Sequence, residues 1–249
     1  MSEFDFSNSG IHTDELHHHS SKDPHQQASA LSDIILGGQD GLVNVLGVIL
    51  GVAAATGDTY VIMVAGLAAT FAESVSMAAV AYTSTLADAD YYESELEREY
   101  RHIKEVPNLE KEEIRTIYRA KGFSGNLLER IVETITASPD VWVAVMMSEE
   151  HQLRPINRRT AFRSAIIVGI AAIIGSLIPL APFLVTSVGG GIILSIALSA
   201  LVLFIVGAVK ARMTVGHPGK SGLEMAVIGT ISALVGYGVG ALLKIPSGS

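Results

Sequence analysis

Five uninterrupted apolar stretches, roughly Ile34–Thr56, Tyr60–Leu86, Ala161–Ala181, Phe183–Val209 and Leu223–Leu243, constrain this chain more than any other feature. Each matches the roughly 20 helical residues needed to cross the hydrocarbon core of a bilayer. Hydrocarbon offers no water to backbone N–H and C=O groups, so each stretch must pair them within its own helix. The expected fold is an all-α membrane protein with five transmembrane helices. Only 17% of residues are charged, and most of that charge lies between the second and third stretches, in a polar insert. The expected organisation is a disordered His-containing tail (1–30), transmembrane helices one and two (31–86), a helical insert (87–157) and transmembrane helices three to five (158–244).

Lys and Arg set the expected orientation. Of 17, twelve lie between Arg98 and Arg163, three between the fourth and fifth spans (Lys210, Arg212, Lys220) and one in the tail (Lys22). Only Lys244 falls on the opposite side. Cytoplasmic loops carry excess positive charge, which places the N-terminus and the insert in the cytosol and the C-terminus outside. The formal net charge of −8 excludes a nucleic-acid binder. The absence of cysteine excludes disulfides, thiolate metal sites and cysteine nucleophiles. No basic segment precedes a short apolar one at the N-terminus, so no cleavable signal peptide is expected.

Local signals divide the insert. Residues Ala87–Ile103 contain no Gly or Pro, so the second helix is expected to run on beyond the membrane until Pro107 ends it. Asn108, Ser124 and Ser138 are candidate caps for helices over Leu109–Ala120, up to Thr136, and over Pro139–Leu153. Gly57-Asp58 is read as a tight turn between the first two spans, and Pro179 and Pro182 as marking a very short one between the third and fourth. GxxxG pairs at Gly37/Gly41, Gly47/Gly51 and Gly236/Gly240 point to close helix packing and to dimerisation.

Two groups of residues carry chemistry. Asp40 and Glu73 lie inside apolar spans, where a carboxylate costs about 2.5–3.5 kcal/mol on insertion scales and therefore faces protein or water. Met77 is one turn from Glu73, and Asn44 one turn from Asp40. Oxygen and thioether donors in this pattern suit a transition-metal path, with Asp40 nearest the cytosolic mouth and Met77 and Glu73 deeper. The alternatives are ordinary methionine packing and structural carboxyls. In the insert, Glu95, Glu99 and His102 share a helix face, as do Glu110 and Glu113. Met146 and Met147 flank Glu150. Carboxylates, imidazole and thioethers together suit Fe²⁺ better than Ca²⁺ or Mg²⁺, whereas solvated acidic faces and packed thioethers are the plain alternative. The tail histidines (His12, His17, His18, His19, His25) are either a weak metal-gathering tract or solvated residues.

The segments GGQDGLVNVLGVILGV, AESVSMAAVAYTS, ELEREYRHI and DVWVAVMMSEE together resemble the vacuolar iron transporter family of divalent iron and manganese exporters, over Ser32 to Leu243. The resemblance implies a homodimer with an ion path between the first spans. It implies proton-coupled antiport of Fe²⁺ (or Mn²⁺, Co²⁺ or Zn²⁺) out of the cytosol, with no enzymatic step and no cofactor. Asp40 and Met77 would carry the path, with Glu73 nearby. Glu99, Glu110, Glu113, Met146, Met147 and Glu150 would form a cytosolic capture site. His102 stands where the family often has another glutamate. A prokaryotic plasma membrane is expected over a eukaryotic vacuole. The competing readings are a membrane-anchored di-iron oxidase, prompted by the ExxH motif of Glu99 and His102, and a metal sensor.

Overall fold

The structure, a computed structural model, describes residues 25–213 and 216–244. Every regular element among them is helical: α1 (His25–Thr56), α2 (Thr59–Glu105), α3 (Pro107–Ala120), α4 (Gly125–Thr136), α5 (Pro139–Val145), α6 (Arg158–Leu180), α7 (Val188–Met213) and α8 (Pro218–Leu242). Among the described residues, five helices are long and apolar enough to cross a membrane. The described residues divide into two compact units, one made of those up to position 79 and from 164 on, and one of residues 80–163. The expected tail lies outside the described residues up to position 24, and α1 already begins at His25, ahead of the expected Ile34.

In the first unit α1 is the central helix. Its Val45, Leu46, Ile49, Leu50 and Ala53 are buried against Ile62, Leu180, Phe183 and Ala233. The turn after α1 forms as expected. Gly57 takes a φ of +65°, and Asp58 Oδ1 accepts the Tyr60 N–H at 2.7 Å. The glycine pairs seat neighbouring helices of the same chain: Gly37 and Gly41 abut the Val168 and Ala172 carbonyls of α6, and Gly47 and Gly51 meet Gly236 and Gly240 of α8. These contacts answer the packing half of the GxxxG expectation, within one chain.

A Cβ on Gly240 would collide with the Gly51 carbonyl, whereas one on Gly238 meets nothing. Overpacking of this kind costs about 1–3 kcal/mol. Gly240→Val is therefore expected to lower the thermal unfolding temperature in detergent well below that of Gly238→Val. Equal values would contradict the packing.

The turn between the third and fourth spans is longer than expected. Pro179 sits in the last turn of α6, Pro182 lies in a 3-10 turn (Ala181–Leu184), and α7 starts at Val188 rather than Phe183. The Pro182 carbonyl, which accepts both the Thr186 N–H and its hydroxyl, holds the chain in this turn. Helix α8 opens at Pro218 instead of Leu223, with proline at its first turn, where a missing N–H costs nothing.

The second unit contains the far part of α2 and helices α3 to α5. Helix α2 runs unbroken to Glu105, as its composition predicts. Asn108 is not the cap of α3. Val106 takes that place and Pro107 is the first helical residue, so one proline both ends α2 and begins α3. Ser124 and Ser138 precede α4 and α5 with extended backbones, but neither side chain makes a capping hydrogen bond. Helix α5 does not continue to Leu153 as an α-helix. It widens into a π turn over Met146–Glu150, in which the His151 N–H bonds the Met146 carbonyl five residues back. Met146 and Met147 are fully buried with Ile103, Ile114, Val132 and Trp142, which is the packed-thioether alternative for this pair.

Candidate functional site

Within the membrane-length helices, three of the four expected polar residues come together. Asn44 Nδ2 donates to Glu73 Oε1 at 3.0 Å. The carboxyl groups of Asp40 and Glu73 also lie close enough to interact. The expected order of depth, with Asp40 at the mouth and Glu73 far beyond it, gives way to a single cluster. Met77 is half-buried one turn along α2 from Glu73. Asn44 is exposed on the surface of the single chain despite its place in an apolar helix.

The second unit assembles a mixed carboxylate and imidazole cluster. Glu99 and Glu110, only 2% and 3% exposed, face His102: its Nδ1 lies 3.8 Å from Glu99 Oε1 and 3.4 Å from Glu110 Oε1. His151 Nε2 stands 3.0 Å from the same Glu99 oxygen. Two overlapping ligand groups result, Glu99–His102–Glu110 and Glu99–Glu150–His151, each with its donor atoms within 4.8 Å of one another. Glu99 Oε2 and Glu110 Oε2 are buried with no hydrogen-bond partner. Glu113 lies beside Glu110 and shares a groove of about 220 Å³ with Glu150.

The neighbouring acids are occupied elsewhere. Lys121 pairs with Glu149 at 2.6 Å, leaving Glu150 as the member of the Glu149/Glu150 pair that joins the cluster. Glu95, expected on the same face as Glu99 and His102, is held by Arg98 at 2.9 Å.

His151 was not among the residues expected from sequence. Its signal is its place directly after Glu150, but in a continuous α-helix neighbouring side chains diverge by about 100°. The π turn ahead of it, a feature frequent at functional sites, is where the backbone departs from that spacing.

Crowded acids share protons. Burial, then the charges of Glu113 and Glu99, pushes Glu110 from an ordinary 4.5 up to about 7. Burial pulls the His151 imidazole down, but the hydrogen bond to Glu99 and the surrounding carboxylates outweigh it and raise the imidazole overall. Below about 7 Glu110 holds a proton, and the raised His151 imidazole keeps one more readily than a free imidazole does; a metal must displace both. Binding of Co²⁺ by the full-length protein is therefore expected to weaken as the pH falls from about 8 through 7, by more than a site of ordinary carboxylates would show. The metal-free fold has the opposite dependence. A raised carboxyl pKa contributes stability that is complete below 4.5 and lost as the pH rises through about 7. Melting curves with and without Co²⁺ at each pH check both signs.

These two units define a multi-pass helical membrane protein with a candidate divalent-cation site in its polar unit. The sequence profile of the VIT family matches residues 31–241. Vacuolar iron transporter 1 of Oryza sativa subsp. japonica is 28% identical over 224 residues, spanning 90% of this chain and 89% of that protein. Vacuolar iron transporter 1 of Tulipa gesneriana is 31% identical over 206 residues (82% and 83%), and that of Arabidopsis thaliana 30% over 224 residues (89% of each). The chain belongs to the VIT family. All three relatives are plant proteins named for a vacuole, and they do not support the expected prokaryotic plasma membrane.

Proposed function

We propose that this protein exports Fe²⁺, with Mn²⁺, Co²⁺ and Zn²⁺ as further substrates, from the cytosol in exchange for protons. The observation that carries this reading is the Asp40–Asn44–Glu73 cluster inside helices long enough to span a membrane, in a chain related to proteins named as iron transporters. Two carboxyl groups in the low-dielectric part of a bilayer need either protons or a cation to neutralise them. Exchanging one for the other moves a divalent ion without leaving bare charge behind. Met77 adds a soft donor one turn from Glu73.

The distribution of Lys and Arg supports a cytosolic insert, where Glu99, His102, Glu110, Glu113, Glu150 and His151 capture the ion before translocation. The protein acts as a homodimer with the path between the two α1 helices. Exposed Asn44, beside half-buried Asp40, supports this arrangement because a polar stripe facing lipid is unfavourable and a second α1 would cover it. The oxidase reading has less support. It gives no reason for the membrane carboxyls, and the second ligand group is the adjacent pair Glu150–His151, not a second ExxH.

The test is uptake of each metal by proteoliposomes under an imposed pH gradient, with oxygen consumption recorded in parallel. Metal uptake that depends on the protein, without oxygen consumption, is expected. Oxygen consumption without uptake would replace the transporter by an oxidase.

A further inference from the structure

The polar unit places two imidazoles on one carboxylate oxygen, Glu99 Oε1, with His151 Nε2 at 3.0 Å and His102 Nδ1 at 3.8 Å. His102 Nδ1 also lies 3.4 Å from Glu110 Oε1. Two ligand atoms bound about 2.1 Å from a first-row metal stand about 3 Å apart when cis and about 4.2 Å apart when trans. The observed separations fall in that interval, so each imidazole can share an ion with Glu99, His102 in the group with Glu110 and His151 in the group with Glu150.

An independent observation also points to a cation. The second oxygens of Glu99 and Glu110 are buried without any donor. A buried acceptor left unpaired is costly, and the cost is greater for a charged group. A bound cation would satisfy both.

We propose that His102 and His151 are specificity-determining ligands that tilt this site toward Fe²⁺, Co²⁺ and Zn²⁺ and away from Mn²⁺. The inference rests on the reading of the insert as a metal-capture site. Carboxylates alone suit Mn²⁺, Mg²⁺ and Ca²⁺, whereas imidazole donors favour the later first-row ions. Glu110 and Glu99 supply charge for any divalent ion, and the two histidines decide which divalent ion gains most. The ExxH spacing makes His102 visible in the sequence, while His151 reaches the same oxygen from the residue after the π turn.

Competition titrations of full-length protein in detergent, with Co²⁺ and Mn²⁺ as probes, test this directly. In His102→Glu/His151→Glu the ratio of Co²⁺ to Mn²⁺ affinity is expected to fall about tenfold or more relative to wild type. With His12, His17, His18, His19 and His25 replaced by Ala in both proteins, pulsed EPR of the Cu²⁺-loaded chain is expected to show imidazole nitrogen couplings that are lost when His102 and His151 are also replaced. An unchanged affinity ratio together with unchanged nitrogen couplings would overturn the role of the histidines. If Glu99→Gln still abolishes binding in that case, the capture reading survives. Failure of the wild type to bind either metal would overturn both.

Discussion

Asp40→Ala is expected to abolish Fe²⁺ flux in proteoliposomes while leaving the protein folded. Asp40 is half-buried in α1, and its carboxyl faces that of Glu73, which also accepts a hydrogen bond from Asn44. Removing it leaves one carboxyl and one amide, which cannot balance a divalent cation against two protons. The α1 core residues Val45, Leu46, Ile49 and Leu50 are untouched, so helix packing should persist. Asp40→Glu keeps the charge with a longer reach and should retain a measurable fraction of the flux. Asn44→Ala removes a neutral donor and should slow transport without stopping it. Wild-type flux in Asp40→Ala, with elution as a normal folded species, would remove Asp40 from the path.

The second large effect is expected in the polar unit. Glu99→Gln with Glu110→Gln should weaken Co²⁺ binding by about tenfold or more, because both buried carboxylates leave the ligand groups. The same double variant should melt no lower than wild type when metal-free at about pH 8, where a buried, crowded carboxylate such as Glu110 destabilises the wild-type fold. A purely structural role predicts the reverse pattern, with lost stability and unaltered metal binding. Transport should show a raised KM with a smaller change in kcat, since capture precedes translocation.

Much of this architecture was legible in the residues. The five apolar runs correspond to the five membrane-length helices because a run of that length in lipid has one way to satisfy its backbone. The unbroken extension of α2 followed from helix-forming composition with no Gly or Pro before Pro107. Helix ends were less legible. Pro107 and Pro218 begin helices where the candidate cap Asn108 and apolar counting, respectively, placed the starts later, because proline fits the first helical position as well as it stops the preceding segment.

The candidate site was legible in its acids and opaque in its joining. Helical spacing brought Glu99 and His102 to one face, and they do meet. It could not show that Glu73 would reach both Asp40 and Asn44, since spacing along one helix does not give the rotation of α1 against α2. Nor could it show that Glu95 and Glu149 would turn to Arg98 and Lys121. His151 required a π turn, which no residue pattern announces. The GxxxG pairs signalled close packing, but only the fold identifies Gly47 and Gly51 as partners of Gly236 and Gly240.

Central to this account is the exchange of a metal ion for protons at the Asp40–Glu73 pair. The most direct measurement begins with equal Fe²⁺ on both sides of proteoliposomes, with the membrane potential clamped. A pH gradient is then imposed and net Fe²⁺ movement is followed. Exchange predicts that Fe²⁺ accumulates on the more acidic side, against no initial gradient of its own, and that Asp40→Ala eliminates the movement. A wild-type protein that carries Fe²⁺ down a concentration gradient but shows no net movement under the pH gradient alone would contradict it.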